Sequence, residues 1–318
     1  MPSIEDQNLT EFLAEVKLKM ENITFSKQKD IQKINDFIFS SDGKYVRSKI
    51  IFLYGDRIGI EYQKLLELAS TTELIHLSTL VHDDIIDEAP LRRGKPSVLK
   101  FSGIKKALLY GDYLYTKTFS CLNSLENKDI ATVLINCAEK LIEGEFNQIS
   151  AMTYKAPSLE NYIKIIKAKT AVLFSGALQS IGIHAKFKDE DLNLIYKLGY
   201  EFGYAFQLND DLIDFSNESV TGKVKYKDLS EGKFTYPLIA AFIDSTEEER
   251  KRIYQLIETK EYSQIVELIE KYNGFDATRI ERDKSINNCI ETTQNFIKLD
   301  SLDYVEQFLR DTLKAWKE

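Results

Sequence analysis

Residues 62–87, YQKLLELASTTELIHLSTLVHDDIID, decide how this chain folds. Apolar residues recur there at spacings of three and four, the period of a buried or amphipathic helix, and the stretch ends in Asp83-Asp84-Ile85-Ile86-Asp87. The same period runs through residues 107–125, 130–149 and 159–183, while alternation with period two is scarce. The class read from this pattern is all-α. Only 5 Pro and 14 Gly punctuate 318 residues, and Pro90, Pro96, Pro157 and Pro237 fall in short polar stretches between long segments. One domain spanning residues 1–318 is therefore expected.

The acidic ending occurs twice, because Asp210-Asp211-Leu212-Ile213-Asp214 follows a second apolar run at residues 202–208. On a helix, residues four apart share a face with Cβ atoms about 5–6 Å apart, so each cluster stacks carboxylates that repel unless a cation intervenes. Mg²⁺ suits such a place, since it takes one or two carboxylates and completes its shell with water and phosphate oxygens. One cluster alone reads as a solvated helix end. Two, each behind a buried-looking run, are expected to project into a shared cavity, where unpaired carboxylates would be costly. A diphosphate substrate is the first expectation.

A formal net charge of −8 argues against nucleic acid or an anionic membrane surface as the main partner. No apolar run reaches the ~18 residues of a membrane span, and the charged first 22 residues do not read as a secretory signal, so a cytoplasmic protein is expected. Cys121, Cys137 and Cys289 have no metal-binding spacing and read as core filling in a reducing compartment.

Cations follow both acid clusters. The first is succeeded by Pro90, where its helix is expected to stop, and then by Leu91-Arg92-Arg93-Gly94-Lys95-Pro96, whose guanidinium forks suit phosphate oxygens. The second is succeeded by a Lys- and Gly-rich loop at residues 221–233. Upstream, the loop at residues 39–48 carries Gly43, Lys44 and Arg47, either a plain basic loop or an anion site. Lys169-Thr170 interrupts an apolar face, and Glu143-Gly144-Glu145-Phe146-Asn147-Gln148 sets polar groups in a helical pattern; either reads as surface or as site. Gln207 shares a face with Asp210 and Asp211, and His76 lies two helical turns before Asp83. His82 flanks Asp83, His184 reads as structural, and the charged helices from residue 246 onward read as a buttress.

These motifs together resemble the trans-isoprenyl diphosphate synthases of the polyprenyl, long-chain type. The ordered matches are Gly43-Lys44-x-x-Arg47, Glu73-Leu74-Ile75-His76, the first acid cluster with Arg92-Arg93-Gly94-x-Pro96, Gly111-Asp112, Gly144-Glu145-x-x-Gln148, Lys169-Thr170, Phe206-Gln207 with the second cluster, and Gly232-Lys233-x-Thr235-x-Pro237. The resemblance implies an antiparallel helical bundle around a deep central cavity, a homodimer, and condensation of isopentenyl diphosphate with an allylic diphosphate such as farnesyl diphosphate. It implies three Mg²⁺: two held by Asp83 and Asp87 with Asp84 nearby, and a third by Asp210 and Asp214, with Asp211 in the same catalytic motif. Isopentenyl diphosphate would meet Lys44, Arg47, His76 and Arg93. Arg92 would contact the allylic diphosphate, Lys169, Lys223 and Lys233 would neutralise the departing diphosphate, and Thr170 and Gln207 would sit near the developing carbocation. One mismatch stands out: where the family has Gly-Gly-Lys-Arg-x-Arg-Pro, this chain has Tyr45 in place of Arg and Ser48 in place of Pro.

Ser78 and Thr79, five and four residues before Asp83, bear on product length. In the family an aromatic side chain there blocks the tunnel early. Small ones leave room along the helix towards Ile75, Leu74 and Thr71, with a floor expected near Val133, Leu134 and Cys137, so a long product is expected, octaprenyl diphosphate being the best match and a quinone side chain its use. The alternatives are a short-chain farnesyl or geranylgeranyl synthase, a head-to-head condensing enzyme or terpene cyclase, and a non-catalytic subunit of the same fold. The Lys44, Arg47, His76 and Arg93 set favours chain elongation over the cyclase, and two intact acid clusters favour catalysis.

Overall fold

The computed structural model describes residues 4–41, 43–92, 94–154, 157–216, 225–297 and 302–313. Among them the secondary structure is helical apart from one antiparallel pair of two-residue strands, β1 Leu91–Arg92 and β2 Lys95–Pro96, so the all-α expectation holds. Contacts divide the chain into two compact units, Met1–Ala138 with Ser175–Tyr196 and Phe296–Lys298, and Glu139–Phe174 with Lys197–Asn295 and Leu299–Glu318.

The first unit contains α1 Ile4–Thr24, α2 Lys29–Phe39, α3 Val46–Ile58, α4 Tyr62–Ile86, α5 Val98–Ser102 and α6 Ile104–Ser124. Helix α4 is its centre, packed by α1, α3, α5 and α6. Its residues from Leu65 to Ile75 are buried nearly all round, which explains why its apolar face is so wide. Hydroxyls sit inside this helix at little cost, because each returns its hydrogen bond to the preceding turn: Ser70 Oγ donates to the Leu66 carbonyl at 2.6 Å, Thr72 Oγ1 to that of Leu68 at 2.7 Å, and Ser78 Oγ to that of Leu74 at 2.8 Å.

Helix α4 ends at Ile86 and not at Pro90. Asp87 caps it, and Glu88 takes the left-handed conformation at φ 48° that closes the last turn. The first acid cluster therefore occupies the C-terminal turn, the negative end of the helix dipole, where carboxylates are unfavourable and cations are favoured.

The second unit holds α8 Leu159–Ile166, a π-helical turn Lys167–Ala171, and helices Lys227–Ser230, Tyr236–Asp244, Glu247–Thr259, Tyr262–Lys271, Gly274–Thr293 and Leu302–Leu313. Three long helices contribute to both units: α7 Lys128–Tyr154, α9 Val172–His184 and α10 Asp189–Ile213. Pro237 does not lie between helices, as its polar neighbours suggested; it opens the helix Tyr236–Asp244, where the missing N–H costs nothing. Beyond residue 246 the helices pack a core of Ile253, Leu256, Ile265, Leu268 and Ile269 against Phe215 and Leu238, supporting the end of α10.

Candidate active site

In the first unit the three aspartates of α4 differ. Asp83 and Asp87 are half-buried, whereas Asp84 is 3% exposed. Arg92 of β1 engages Asp84 with both ends of its fork: Nε donates to Oδ1 and Oδ2 at 2.9 Å, and Nη2 lies 2.8 Å from Oδ1. The hairpin that carries Arg92 turns through Gly94 at φ 74°, a left-handed angle that glycine adopts without strain. Lys95 then donates to Ser41 Oγ at 3.0 Å, tying this basic hairpin to the loop that bears Lys44. Lys44 is exposed, Arg47 is buried in the first turn of α3, and His76 is half-buried midway along α4. Arg93 lies outside the described residues.

Ser48 explains the departure from the family's proline. Its backbone N–H and its hydroxyl each donate to Glu73 Oε1 at 3.1 Å, and Glu73 is buried in α4. A proline could supply neither donor. Tyr45, the other replacement, precedes α3 in the left-handed conformation at φ 47°. The role of Glu73 was not read from the sequence, although a lone carboxylate inside the run 68–81 is a signal that it must be met by a donor.

His82 also acquires a partner. Its ring stacks on Tyr115 of α6 with centroids 5.7 Å apart, and Nε2 lies 3.5 Å from Asp112 Oδ1. Gly111 makes this possible, since a Cβ there would stand 2.4 Å from His82 Nε2. The Gly111-Asp112 pair thus fixes the residue next to Asp83.

In the second unit Asp210 is half-buried, and Asp211 and Asp214 are buried. Asp211 accepts from the Tyr162 hydroxyl at 2.6 Å, Gln207 Nε2 at 2.9 Å and the Tyr236 N–H at 3.0 Å. Burial pushes its carboxyl up to about 7 despite those three donors. Gln207 Oε1 in turn accepts from Thr170 Oγ1 at 2.9 Å, so Thr170, Gln207 and Asp211 form one chain of hydrogen bonds. Asp214 accepts the N–H groups of Lys227 at 3.1 Å and Asp228 at 3.3 Å, anchoring the segment that follows the second cluster. Burial, reinforced by the neighbouring Asp228 carboxylate, pushes Asp214 up to about 8. Tyr162 was missed because an aromatic on an apolar helix face carries no sequence signal.

Lys169 projects from the π-helical turn, a local widening that periodicity cannot reveal and that recurs at functional sites. Its Nζ donates to Gln148 Oε1 at 2.5 Å and pairs with Glu145, both on α7. Lys233 Nζ lies 2.6 Å from Glu231 Oε2, and Thr235, two residues on, buries a hydroxyl with no hydrogen-bond partner among the described residues. Lys223 lies outside the described residues.

These donors fit a divalent cation. In the first unit Asp83 and Asp87, and in the second Asp210, offer hard carboxylate oxygens near a helix C-terminus and are half-buried, while Asp84 and Asp211 are buried and bonded within the protein. Among the described residues no three His, Cys, Asp or Glu side chains converge on one point.

Comparison with known proteins bears on the family and the fold. The family model described as Polyprenyl synthetase matches residues 28–273. The chain is similar to the octaprenyl diphosphate synthase of Escherichia coli, 36% identical over 72% of each chain, and to the geranylgeranyl diphosphate synthase of Saccharolobus solfataricus, 31% identical over 94% of this chain and 95% of that one. Among solved structures it resembles a decaprenyl diphosphate synthase from Rhodobacter capsulatus, with a TM-score of 0.90, 26% identity and 98% of each chain covered. It also resembles a polyprenyl synthase from Caulobacter crescentus complexed with calcium and isoprenyl diphosphate, with a TM-score of 0.88, 25% identity and coverage of 96% and 95%.

Proposed function

Because the chain belongs to the polyprenyl synthetase family, a family of prenyltransferases, we propose that it elongates an allylic diphosphate by successive condensations with isopentenyl diphosphate, releasing diphosphate and a long all-trans polyprenyl diphosphate. One observation carries the reading. In both acid clusters the second aspartate is buried and bonded inside the protein, Asp84 to Arg92 and Asp211 to Tyr162, Gln207 and the Tyr236 N–H, while the first, Asp83 and Asp210, is the more exposed and sits at a helix C-terminus. A half-buried carboxylate at a helix C-terminus is within reach of a metal ion, and the negative end of the helix dipole favours a cation there.

Asp83, Asp87 and Asp210 would hold Mg²⁺, with Asp84 and Asp214 fixing their surroundings. The metal supplies Lewis-acid stabilisation of the diphosphate as negative charge builds up on it. Lys169, Lys223, Lys233 and Arg92 add fixed positive charge to the same leaving group, and Thr170 with Gln207 offers oriented dipoles to the cation left behind. Lys44, Arg47, His76 and Arg93 bind isopentenyl diphosphate and present its double bond. Diphosphate would take the proton, since no side-chain base is evident among the described residues.

For product length, Ser78 is fully buried and Thr79 half-buried, and both hydroxyls are spent on carbonyls of α4, at 2.8 Å each. Both positions therefore behave as small apolar surface, which favours a long product, with octaprenyl the best guess. Residues 1–318 would act as one catalytic domain in a homodimer. Exposed Ile104, Leu108 and Phe119 on a single face of α6 support self-association. No helix among the described residues is long and apolar enough to cross a membrane.

The test is a product assay with Mg²⁺, isopentenyl diphosphate, and geranyl, farnesyl or geranylgeranyl diphosphate as separate starters. Consumption of isopentenyl diphosphate that stops with Asp83→Ala or with chelator is expected. Turnover of the allylic diphosphate without isopentenyl diphosphate consumption would mean a cyclase instead.

A further inference from the structure

The grip on Lys169 is unusually complete for a residue meant to bind a phosphate. Gly144 lets α7 approach the π-helical turn: a Cβ at Gly144 would stand 2.9 Å from Ala168 Cβ and 3.0 Å from the Lys169 nitrogen. That closeness brings the next residue, Glu145, and the one a turn later, Gln148, onto the Lys169 ammonium. The side chains of Lys169 and Glu145 are only 22% and 13% exposed, so their pairing is weakly screened. The two contacts differ in kind. Gln148 Oε1 takes the directed hydrogen bond at 2.5 Å, whereas Glu145 Oε2 meets no hydrogen-bond geometry and contributes charge.

We propose that Glu145 is a positioning residue that holds Lys169 while no diphosphate is bound and competes with diphosphate for its ammonium. The inference rests on the prenyl-transfer reading above, in which Lys169 serves the leaving diphosphate. When diphosphate takes the ammonium, Glu145 is left as a mostly buried carboxylate without its counter-charge, an unfavourable outcome that weakens diphosphate binding. Gln148, being neutral, carries no such penalty. The pair thereby favours release of the product diphosphate between successive condensations, which a processive elongation needs. Gly144 is part of the device, because it sets the distance between the helix and the turn.

The experiment measures binding of inorganic pyrophosphate with Mg²⁺ to the full-length protein by calorimetry, alongside steady-state kinetics. Glu145→Gln is expected to tighten pyrophosphate binding about tenfold, the scale of removing one competing charge beside a partly buried ammonium. The KM for the allylic diphosphate falls with it, and kcat falls as product release slows. In a Lys169→Ala background the same substitution is expected to change pyrophosphate affinity less than twofold. A purely structural Glu145 would weaken binding or leave it unchanged in the folded variant, and either result overturns the proposal. If Glu145→Gln does not fold, Glu145→Asp, which withdraws the carboxylate by one methylene, is measured against the same two outcomes. The prenyl-transfer reading is judged separately, on whether the wild-type protein consumes isopentenyl diphosphate at all.

Discussion

Tyr162→Phe is expected to destabilise the protein by an amount that depends on pH. The hydroxyl it removes makes the shortest of the three bonds to Asp211, 2.6 Å against 2.9 Å from Gln207 and 3.0 Å from the Tyr236 N–H. The ring stays packed edge-on against Tyr236 with centroids 5.7 Å apart, so no cavity opens. Withdrawing a donor from a buried charged acceptor costs about 1.5–3 kcal/mol. That cost applies in full only while Asp211 is ionised. Burial raises its carboxyl from 3.8 to about 7 in the folded protein, so the folded state binds this proton more tightly than the unfolded chain does. Stability from this group is therefore greatest at low pH and drains away as pH climbs from the unfolded value towards about 7. Losing the Tyr162 donor raises the folded pKa further and extends the drain upward. Urea titrations in chelator, followed by circular dichroism, should find wild type and variant within about 1 kcal/mol near pH 5 and about 1.5–3 kcal/mol apart near pH 8.5. Equal differences at both pH values would refute the assignment of Tyr162 as a donor to an ionised Asp211.

Ser48→Pro, which restores the family's residue, should destabilise this chain by about 2–4 kcal/mol because Glu73 loses two donors, and Ser48→Ala by about half that; urea midpoints decide, and a neutral Ser48→Pro would mean that Glu73 draws nothing from Ser48. Gly111→Ala forces His82 off α6 and should raise the allylic-diphosphate KM severalfold while the protein stays folded; an unchanged KM would show that Asp83 is positioned without His82. Ser78→Phe should shorten the product, read by mass spectrometry of labelled chains; an unaltered length places the chain elsewhere than along this face of α4.

The class of the fold was legible because period alone marks a helix, and the acid clusters were legible because their spacing has a chemical meaning. What the sequence concealed are contacts between elements. Asp83, Asp84 and Asp87 look equivalent in the chain, and only the hairpin placing Arg92 against Asp84 distinguishes them. Ser48 read as the loss of a rigid proline, yet across 25 residues of sequence it satisfies Glu73. The end of α4 was misplaced at Pro90 because a proline is a visible stop, whereas the left-handed turn at Glu88 comes from a residue with no such signature. The π-helical turn at Lys167–Ala171 is invisible for a different reason: the polar break at Lys169-Thr170 shows in the sequence, but nothing in it separates a widened turn from a patch of helix surface.

The cations proposed to meet diphosphate already have acids as partners: Arg92 has Asp84, Lys169 has Glu145 and Lys233 has Glu231. The chain as a whole carries a formal charge of −8. A diphosphate must therefore either displace these acids or arrive with positive charge of its own. Exchange of one anion for another around a lysine is nearly neutral, which avoids the tight uniform binding that would slow turnover without helping the chemical step. A divalent ion at the proposed site, Asp83 and Asp87, would bring that positive charge. Two single-carboxylate deletions should then act in opposite directions. Asp83→Ala removes a metal ligand and should weaken Mg²⁺–pyrophosphate binding about tenfold or more, while Glu145→Gln removes a competitor and should strengthen it. An account based on net charge alone has both substitutions strengthening binding, since each makes the protein less acidic. Calorimetry on the two variants separates these views, and a shift of the same sign in both would refute the division of the carboxylates into metal-holding and cation-holding groups.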